Sequence, residues 1–144
     1  MNKDTDSLIL LDTHIWFWLI REHPRADHAR FKKLIEEKAI ESAIRISIIS
    51  VWEIGMLVKK GRIELPYNAL EWVYKALQAP GLSLEPMTPE IAVDSINLPG
   101  DFHADPADRI LIATARNLNA TLITEDERIL SYCRKHSLSV HSIN

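Results

Sequence analysis

Four acidic residues lie where buried segments of the sequence end or begin. Asp12, Glu53 and Asp126 each follow a run of apolar or β-branched residues, and Asp108 precedes the apolar residues of a later predicted helix. In an open α/β sheet, the carboxyl ends of the strands and the first turns of the following helices meet at one edge, so carboxylates distant in sequence can converge there. Convergent carboxylates repel one another unless a cation lies between them. The pattern indicates a hard, oxygen-rich cation site of the kind that Mg²⁺ or Mn²⁺ occupies in phosphodiester chemistry.

The elements that would position these acids are short apolar strands that alternate with helices. The predicted strands are residues 8–11, 44–49, 82–86, 121–124 and 138–143. The predicted helices are residues 13–20, 25–42, 50–60, 69–78, 88–98, 105–118 and 126–135. Because such an order requires crossover connections, it predicts a mainly parallel central sheet with helices on both faces. The expected fold class is an α/β protein, a three-layer α/β/α sandwich.

Length and composition indicate one globular domain over residues 1–144, with 47% hydrophobic and 26% charged residues. The single cysteine excludes an internal disulfide, and the N-terminus lacks the features of a signal peptide. The longest apolar run, residues 15–20, is far shorter than the roughly 20 residues that a bilayer span requires. We therefore expect a cytoplasmic protein that does not span a membrane.

The formal net charge of −3 does not provide the basic surface typical of proteins that bind nucleic acid through their overall field. Nucleic acid binding would depend on local cations, for which solvated helix faces are the simpler explanation. The clusters are Arg21, Arg25, Arg30, Lys32 and Lys33; Lys59, Lys60 and Arg62; and Arg109, Arg116, Arg128 and Arg134.

Helix capping is a competing explanation for most of the acids. Ser50 and Glu53 have the spacing of a capping box, with Ser50 as the predicted N-cap of the helix over residues 50–60. Asp105 precedes a proline at another predicted helix start, and Asp108 lies in the first turn of that helix. Asp126 can cap the helix that follows it. The two roles are compatible, since a cap also fixes the side chains of the first helical turn.

Four segments carry these acids in a fixed order: residues 10–14 (LLDTH), 50–53 (SVWE), 105–113 (DPADRILIA) and 122–126 (LITED). Together they resemble the PIN-domain ribonucleases, and most closely the VapC-type toxins of bacterial toxin-antitoxin pairs. The resemblance implies that the catalytic and metal-binding acids are Asp12, Glu53, Asp108 and Asp126. It adds Thr124 and Ser50 as accessory residues. Asp105 is interpreted as a helix cap first and as an accessory site residue second.

The function implied by the resemblance is an endoribonuclease that hydrolyses RNA phosphodiester bonds with Mg²⁺, for which Mn²⁺ is a possible substitute. Water activated by the metal would be the nucleophile. The implied partners are a small cognate antitoxin and a second copy of the chain in a homodimer. His14 and His103 flank the acids and could contact substrate or be ordinary polar neighbours; neither suits a Mg²⁺ site as a ligand.

Three consecutive aromatic residues, Trp16, Phe17 and Trp18, follow the first acid. Packing in the core is the favoured interpretation, and stacking on unpaired RNA bases is the alternative. Because three neighbouring side chains cannot all face inward from one helix, at least one of them should reach a surface.

Other functions remain as alternatives to a nuclease. A non-catalytic PIN-like module would bind RNA or a protein and keep its acids as caps. A receiver-like phosphoacceptor domain is disfavoured because residues 124–126 contain no lysine after the late strand. A haloacid-dehalogenase-type phosphatase is disfavoured because no second aspartate lies two residues after Asp12.

Overall fold

The protein forms an α/β fold around a parallel sheet, and its computed structural model describes residues 7–102 and 105–143. The strands are β1 (Ile9–Leu11), β2 (Ile44–Ser47), β3 (Leu82–Glu85), β4 (Thr121–Ile123) and β5 (Val140–His141). They pair in the order β3-β2-β1-β4-β5, and every pair is parallel. The predicted parallel sheet is confirmed, and β1 occupies its centre.

Seven α-helices connect the strands in the described part of the chain. They are α1 (Thr13–Ile20), α2 (Ala29–Ile40), α3 (Ile48–Lys59), α4 (Ala69–Ala76), α5 (Pro89–Ile96), α6 (Pro106–Leu118) and α7 (Glu127–Lys135). None of the helices in these ranges is long and apolar enough to cross a bilayer.

Two hydrophobic clusters pack on opposite faces of the sheet. Successive residues of a strand point to opposite faces, and accordingly Ile9 and Leu11 belong to one cluster while Leu10 belongs to the other. Helices α1 to α4 contribute to the first cluster through residues such as Trp16 and Trp72, whereas α5 to α7 contribute to the second. The helices thus form a layer on each face of the sheet, as the predicted three-layer sandwich requires.

Two predicted helix boundaries are wrong. The predicted helix over residues 25–42 is divided into a 3-10 turn at Pro24–Ala26 and helix α2, because His23 caps the turn by accepting a hydrogen bond from the Arg25 amide. The strand predicted over residues 44–49 ends at Ser47. Ser47 caps α3 by accepting a hydrogen bond of 3.1 Å from the Ile49 amide, so the helix begins two residues before the predicted start at Ser50.

Candidate active site at the carboxyl edge of the sheet

Asp12 lies at the carboxyl end of the central strand and is the N-cap of α1. Its Oδ1 accepts a hydrogen bond of 2.7 Å from the Thr13 amide, and its Oδ2 accepts one of 2.6 Å from the Thr124 hydroxyl. The two donors come from opposite ends of the sequence, and each follows one of two adjacent strands, β1 and β4. The carboxylate is therefore fixed in orientation through both of its oxygens.

Thr124 connects Asp12 to the start of α7. Its side chain is fully buried, its hydroxyl donates to Asp12, and its Oγ1 accepts a hydrogen bond of 3.0 Å from the Asp126 amide. Asp126 in turn caps α7, since its Oδ1 accepts hydrogen bonds from the amides of Arg128 and Ile129. Thr124 thus connects Asp12 to Asp126, the first and last of the predicted site acids.

Thr13 connects α1 to α3 through two buried or partly buried contacts. Its Oγ1 lies 2.5 Å from Glu53 Oε1 and 2.8 Å from Ser50 Oγ. A hydroxyl has only one proton. Thr13 therefore donates to the Glu53 carboxylate and accepts a hydrogen bond from the Ser50 hydroxyl. Ser50 is fully buried, and its role is to complete this network.

The predicted capping box between Ser50 and Glu53 is wrong. Because Ser47 caps α3, Glu53 lies in the second turn of the helix, and its carboxylate accepts a hydrogen bond from Thr13. Ser47 lies three residues before the predicted cap, Ser50, and can cap a helix equally well. Only the position at which β2 leaves the sheet decides between them.

Asp105 and Asp108 occupy the first turn of α6 and have different environments. Asp105 is exposed and caps the helix, as predicted, by accepting a hydrogen bond of 3.0 Å from the Asp108 amide. The side chain of Asp108 is only 15% exposed, and it lies 3.9 Å from the guanidinium of Arg128. Within residues 7–102 and 105–143, the Asp108 carboxylate accepts no hydrogen bond, so its charge is poorly compensated.

Burial and mutual repulsion disfavour ionisation of several acids. Burial, reinforced by the charges of Asp105 and Asp12, raises the pKa of Asp108 to about 7. The charges of Asp126 and Glu53 act in the same direction on this pKa. Burial also raises the pKa of Asp12 and of Glu53, although both carboxylates accept hydrogen bonds from threonines. The hydrogen bonds of Thr13 and Thr124 bring Asp12, Glu53 and Asp126 to this edge of the sheet, and the raised pKa of Asp108 agrees with that placement.

The donor set suits a hard divalent cation, because it consists of carboxylate and hydroxyl oxygens. A bound cation would also offset the repulsion that raises the pKa of Asp108. In the described part of the chain, however, no group of three or more His, Cys, Asp or Glu side chains is arranged to hold a metal ion. The acids are thus gathered at one edge without forming a closed set of ligands.

The two histidines predicted to flank the acids differ in what the structure describes. His14 is exposed at the start of α1, with its ring centroid 6.0 Å from that of Trp18. His103 lies outside the described residues.

The aromatic residues after Asp12 belong mainly to the core. Trp16 and Phe17 are buried and pack against Trp72, with ring centroids 5.3 and 5.8 Å apart, respectively. Trp18 is partly exposed and contacts His23 and Arg25. The expectation that one of the three reaches a surface is confirmed.

A family model described as PIN domain matches residues 9–135. The chain belongs to the PIN domain family. It is also 31% identical over 134 residues to Ribonuclease VapC22 of Mycobacterium tuberculosis (strain ATCC 25618 / H37Rv), an alignment that covers 92% of this chain and 97% of the relative. The predicted resemblance to PIN-domain proteins of the VapC type is confirmed.

Solved structures support the same fold for this PIN domain. DNA-bound VapBC from Salmonella typhimurium matches with a TM-score of 0.71 at 15% identity, covering 96% of this chain and 99% of the other. VapBC2 from Rickettsia felis, bound to a DNA fragment from their promoter, matches with a TM-score of 0.68 at 18% identity, covering 94% and 98%.

Thr13 is not among the predicted site residues, yet in this PIN domain it lies between the elements that carry Asp12 and Glu53. The hydroxyl contacts residues that are 37 and 40 positions away in the sequence. The available signal was a threonine directly after an acid at a helix start, a place where a buried hydroxyl needs a partner.

Arg109, one of the candidate cations, has a structural role. Its guanidinium donates hydrogen bonds to the backbone carbonyls of Ser95, Ile96 and Phe102, at 2.9, 3.2 and 2.6 Å. These hydrogen bonds satisfy free backbone carbonyl groups at the C-terminal end of α5 and connect that end to the first turn of α6. Arg109 therefore helps to position Asp108, the neighbouring residue.

Proposed function

We propose that this PIN domain is a metal-dependent endoribonuclease that hydrolyses RNA phosphodiester bonds, with Mg²⁺ as the cofactor and Mn²⁺ as a possible substitute. The observation that carries the proposal is the gathering of partly buried acids at one edge of the sheet, where burial and mutual repulsion raise the pKa of Asp108 to about 7. Such a set of carboxylates is unfavourable without a cation and suited to binding one. The similarity to a protein named as a ribonuclease supports RNA as the substrate.

In the proposed mechanism, Asp12 and Asp108 would hold the metal, and Glu53 and Asp126 would complete its surroundings directly or through water. When bound there, a divalent ion would supply activation of a water molecule and compensation of negative charge on the reacting phosphate. The protein contributes the orientation of the acids.

The hydroxyl network supplies this orientation. Thr124 holds the Asp12 carboxylate from β4, and Thr13 holds Glu53 from α1. Because each acid is restrained by a buried or partly buried hydroxyl, binding a cation requires little reorganisation on this side of the site.

We further propose that the protein is the toxin of a type II toxin-antitoxin pair, neutralised by a small antitoxin, and that it forms a homodimer. The structural neighbours from Salmonella typhimurium and Rickettsia felis are VapBC complexes, which supports a partner of this kind. Co-expression with the product of the adjacent gene, followed by purification and mass measurement, tests both the complex and the oligomeric state.

The decisive experiment is cleavage of single-stranded RNA by the purified protein in Mg²⁺, in EDTA and as the Asp12→Asn variant. We expect cleavage only by the wild-type protein with Mg²⁺. Cleavage that continues unchanged in the Asp12→Asn variant would refute the proposed site.

A non-catalytic PIN module is the second candidate. It is favoured by the capping roles of Asp12, Asp105 and Asp126 and by the lack of a closed metal-ligand group among the described side chains. This candidate predicts RNA binding without cleavage and no increase in thermal stability with Mg²⁺. The cleavage and melting experiments together distinguish the two functions.

A further inference from the structure

A groove with a volume of about 700 Å³ extends from the acidic site along α3. Glu53 and Asp105 line its near end, and Lys60 and Arg62 are among its remaining lining residues. Between them the surface is apolar and includes Trp52 and the methionines at positions 56 and 87. The groove is thus continuous with the proposed catalytic edge but has a different chemistry.

Trp52 is the exposed indole of this groove. Its side chain is 57% exposed, whereas Trp16 and Trp72 are buried in the core. Trp52 lies within α3, and Lys60 is the C-cap of that helix. The two residues are eight positions apart and lie on the same side of the helix, about 12 Å apart along its axis. An aromatic surface therefore lies between the acids and a cation.

The two basic side chains of the groove are not paired with other groups in the described part of the protein. Within the described residues, neither Lys60 nor Arg62 makes a side-chain hydrogen bond or a salt bridge. Arg109 and Arg116, by contrast, bind carbonyls and Asp94. Lys60 and Arg62 are consequently available to an anionic ligand.

We propose that this groove binds the single-stranded RNA segment next to the scissile phosphate, with one base stacked on Trp52 and the following phosphates bound by Lys60 and Arg62. The proposal rests on the proposed ribonuclease function. A nucleotide chain combines apolar base faces with regularly spaced negative charges, and the groove offers an aromatic face followed by cations. The groove thereby compensates for the negative net charge of the protein, −3, at the point where RNA must approach.

The test measures RNA binding in the Asp12→Asn background, where cleavage does not interfere. The probes are a short fluorescein-labelled single-stranded RNA and the same oligonucleotide with abasic sites, which keeps the phosphates and removes the bases. Trp52→Ala should weaken binding of the intact RNA about tenfold and leave binding of the abasic RNA unchanged. Trp52→Phe, which keeps an aromatic face, should restore most of the affinity.

The cations are tested by the salt dependence of binding to the same intact RNA. Lys60→Ala and Arg62→Ala should each reduce the slope of log K against log salt concentration by about 0.7. Two matched variants serve as controls. Lys59→Ala changes the adjacent lysine, and Tyr74→Ala changes an aromatic residue that is 62% exposed; neither lines the groove. Both controls should bind as the parent protein does.

The outcomes separate this inference from the proposed function. If wild-type protein cleaves RNA with Mg²⁺ but Trp52→Ala binds intact and abasic RNA as its parent does, the groove assignment is wrong and the ribonuclease stands. If Trp52 governs RNA binding and no cleavage occurs, the groove assignment stands and the ribonuclease is wrong. If the groove variants lose binding to a partner protein while RNA binding is unchanged, the groove is a protein-docking surface and the inference is overturned.

Discussion

The two sides of the acidic edge are built differently. On the sheet side, Asp12 and Glu53 accept hydrogen bonds from Thr124 and Thr13, whose hydroxyls are buried. On the α6 side, the Asp108 carboxylate accepts no hydrogen bond from any described residue, and its cationic neighbour there is a guanidinium 3.9 Å away. One side is oriented by neutral donors, and the other carries charge that the protein leaves largely uncompensated.

This difference implies that the two sides have different roles in cation binding. Neutral donors fix the positions of the carboxylates without cancelling their charge, so the sheet side remains attractive to a cation. The raised pKa of Asp108 shows that its ionised form costs free energy when no cation is present. The sheet side is thus preorganised, while the α6 side depends on the metal that we propose.

The largest expected effect comes from neutralising one acid on each side. Asp12→Asn and Asp108→Asn should each lower kcat/KM for RNA cleavage by about 10³-fold, because each removes a proposed ligand. The double variant should lose little more than either single variant, since both act through the same ion. Steady-state cleavage assays in Mg²⁺ measure these effects, with Asp27→Asn in the exposed pair with Lys32 as control. Independent, multiplicative losses would show that the two sides do not share a metal.

The second prediction concerns stability and pH without metal. Because the pKa of Asp108 is raised to about 7, the folded protein binds a proton more tightly than the unfolded chain does, and stability falls as pH rises from about 4 to 7. Asp108→Asn removes this loss and should raise the free energy of unfolding by roughly 2 to 4 kcal/mol at pH 8, with little effect below pH 4. Urea titrations in EDTA at several pH values provide the measurement.

Added Mg²⁺ supplies the control for that prediction. It should stabilise the wild-type protein at pH 8 and stabilise Asp108→Asn much less. Equal stabilisation of both proteins by Mg²⁺ would separate Asp108 from the cation site.

The third prediction tests the neutral donors. Thr124→Val leaves an oxygen of Asp12 and the Asp126 amide without their partner, and it should lower cleavage about 10- to 100-fold and stability by about 1 to 3 kcal/mol. Thr121→Val is a matched control three residues earlier, at the start of β4, where the hydroxyl contacts Ser139 at the surface. Thr124→Ser should recover most of the activity. Full activity of the Thr124→Val variant would show that the Thr124 hydroxyl is not needed to orient the Asp12 carboxylate.

The smallest effect is expected at Asp105. Asp105→Ala removes the N-cap of α6 and should cost about 1 kcal/mol of stability. Asp105→Asn keeps the cap and also removes a charge that raises the pKa of Asp108, so it should be at least as stable as the wild type. Denaturant unfolding of both variants distinguishes the cap from the charge. A destabilised Asp105→Asn variant would contradict the capping interpretation.

Much of the fold could be predicted because the central strands β1 and β4 are short, mainly apolar and followed by polar residues. The runs before Asp12 and Asp126 indicate buried parallel strands, and the proline after Asp105 indicates a helix start. The position of α3 could not be predicted, because Ser47 and Ser50 are equally good caps in sequence and only the length of β2 selects the first.

The contacts that support the site are long-range, and the sequence pattern does not predict them. Thr13 meets Glu53 only because α1 and α3 begin beside one another after adjacent strands. The prediction that Trp16 and Phe17 pack in the core is confirmed, but the exposed indole beside the acids lies on α3 instead. Side-chain exposure at such positions depends on how neighbouring helices pack. The catalytic roles of the acids stay predictions until the variants are measured.

The hydrogen bond from Thr124 to Asp12 spans 112 positions of the chain and has a consequence for synthesis. Of the five described strands, the central strand β1 is synthesised first, and β4, which precedes Thr124, is synthesised fourth. A nascent chain that has not yet released β4 cannot complete this arrangement, and pairing of such distant segments is a slow step in folding. We therefore expect products that stop before β4 to be inactive, so that any activity against RNA begins only after β4 and Thr124 have been synthesised.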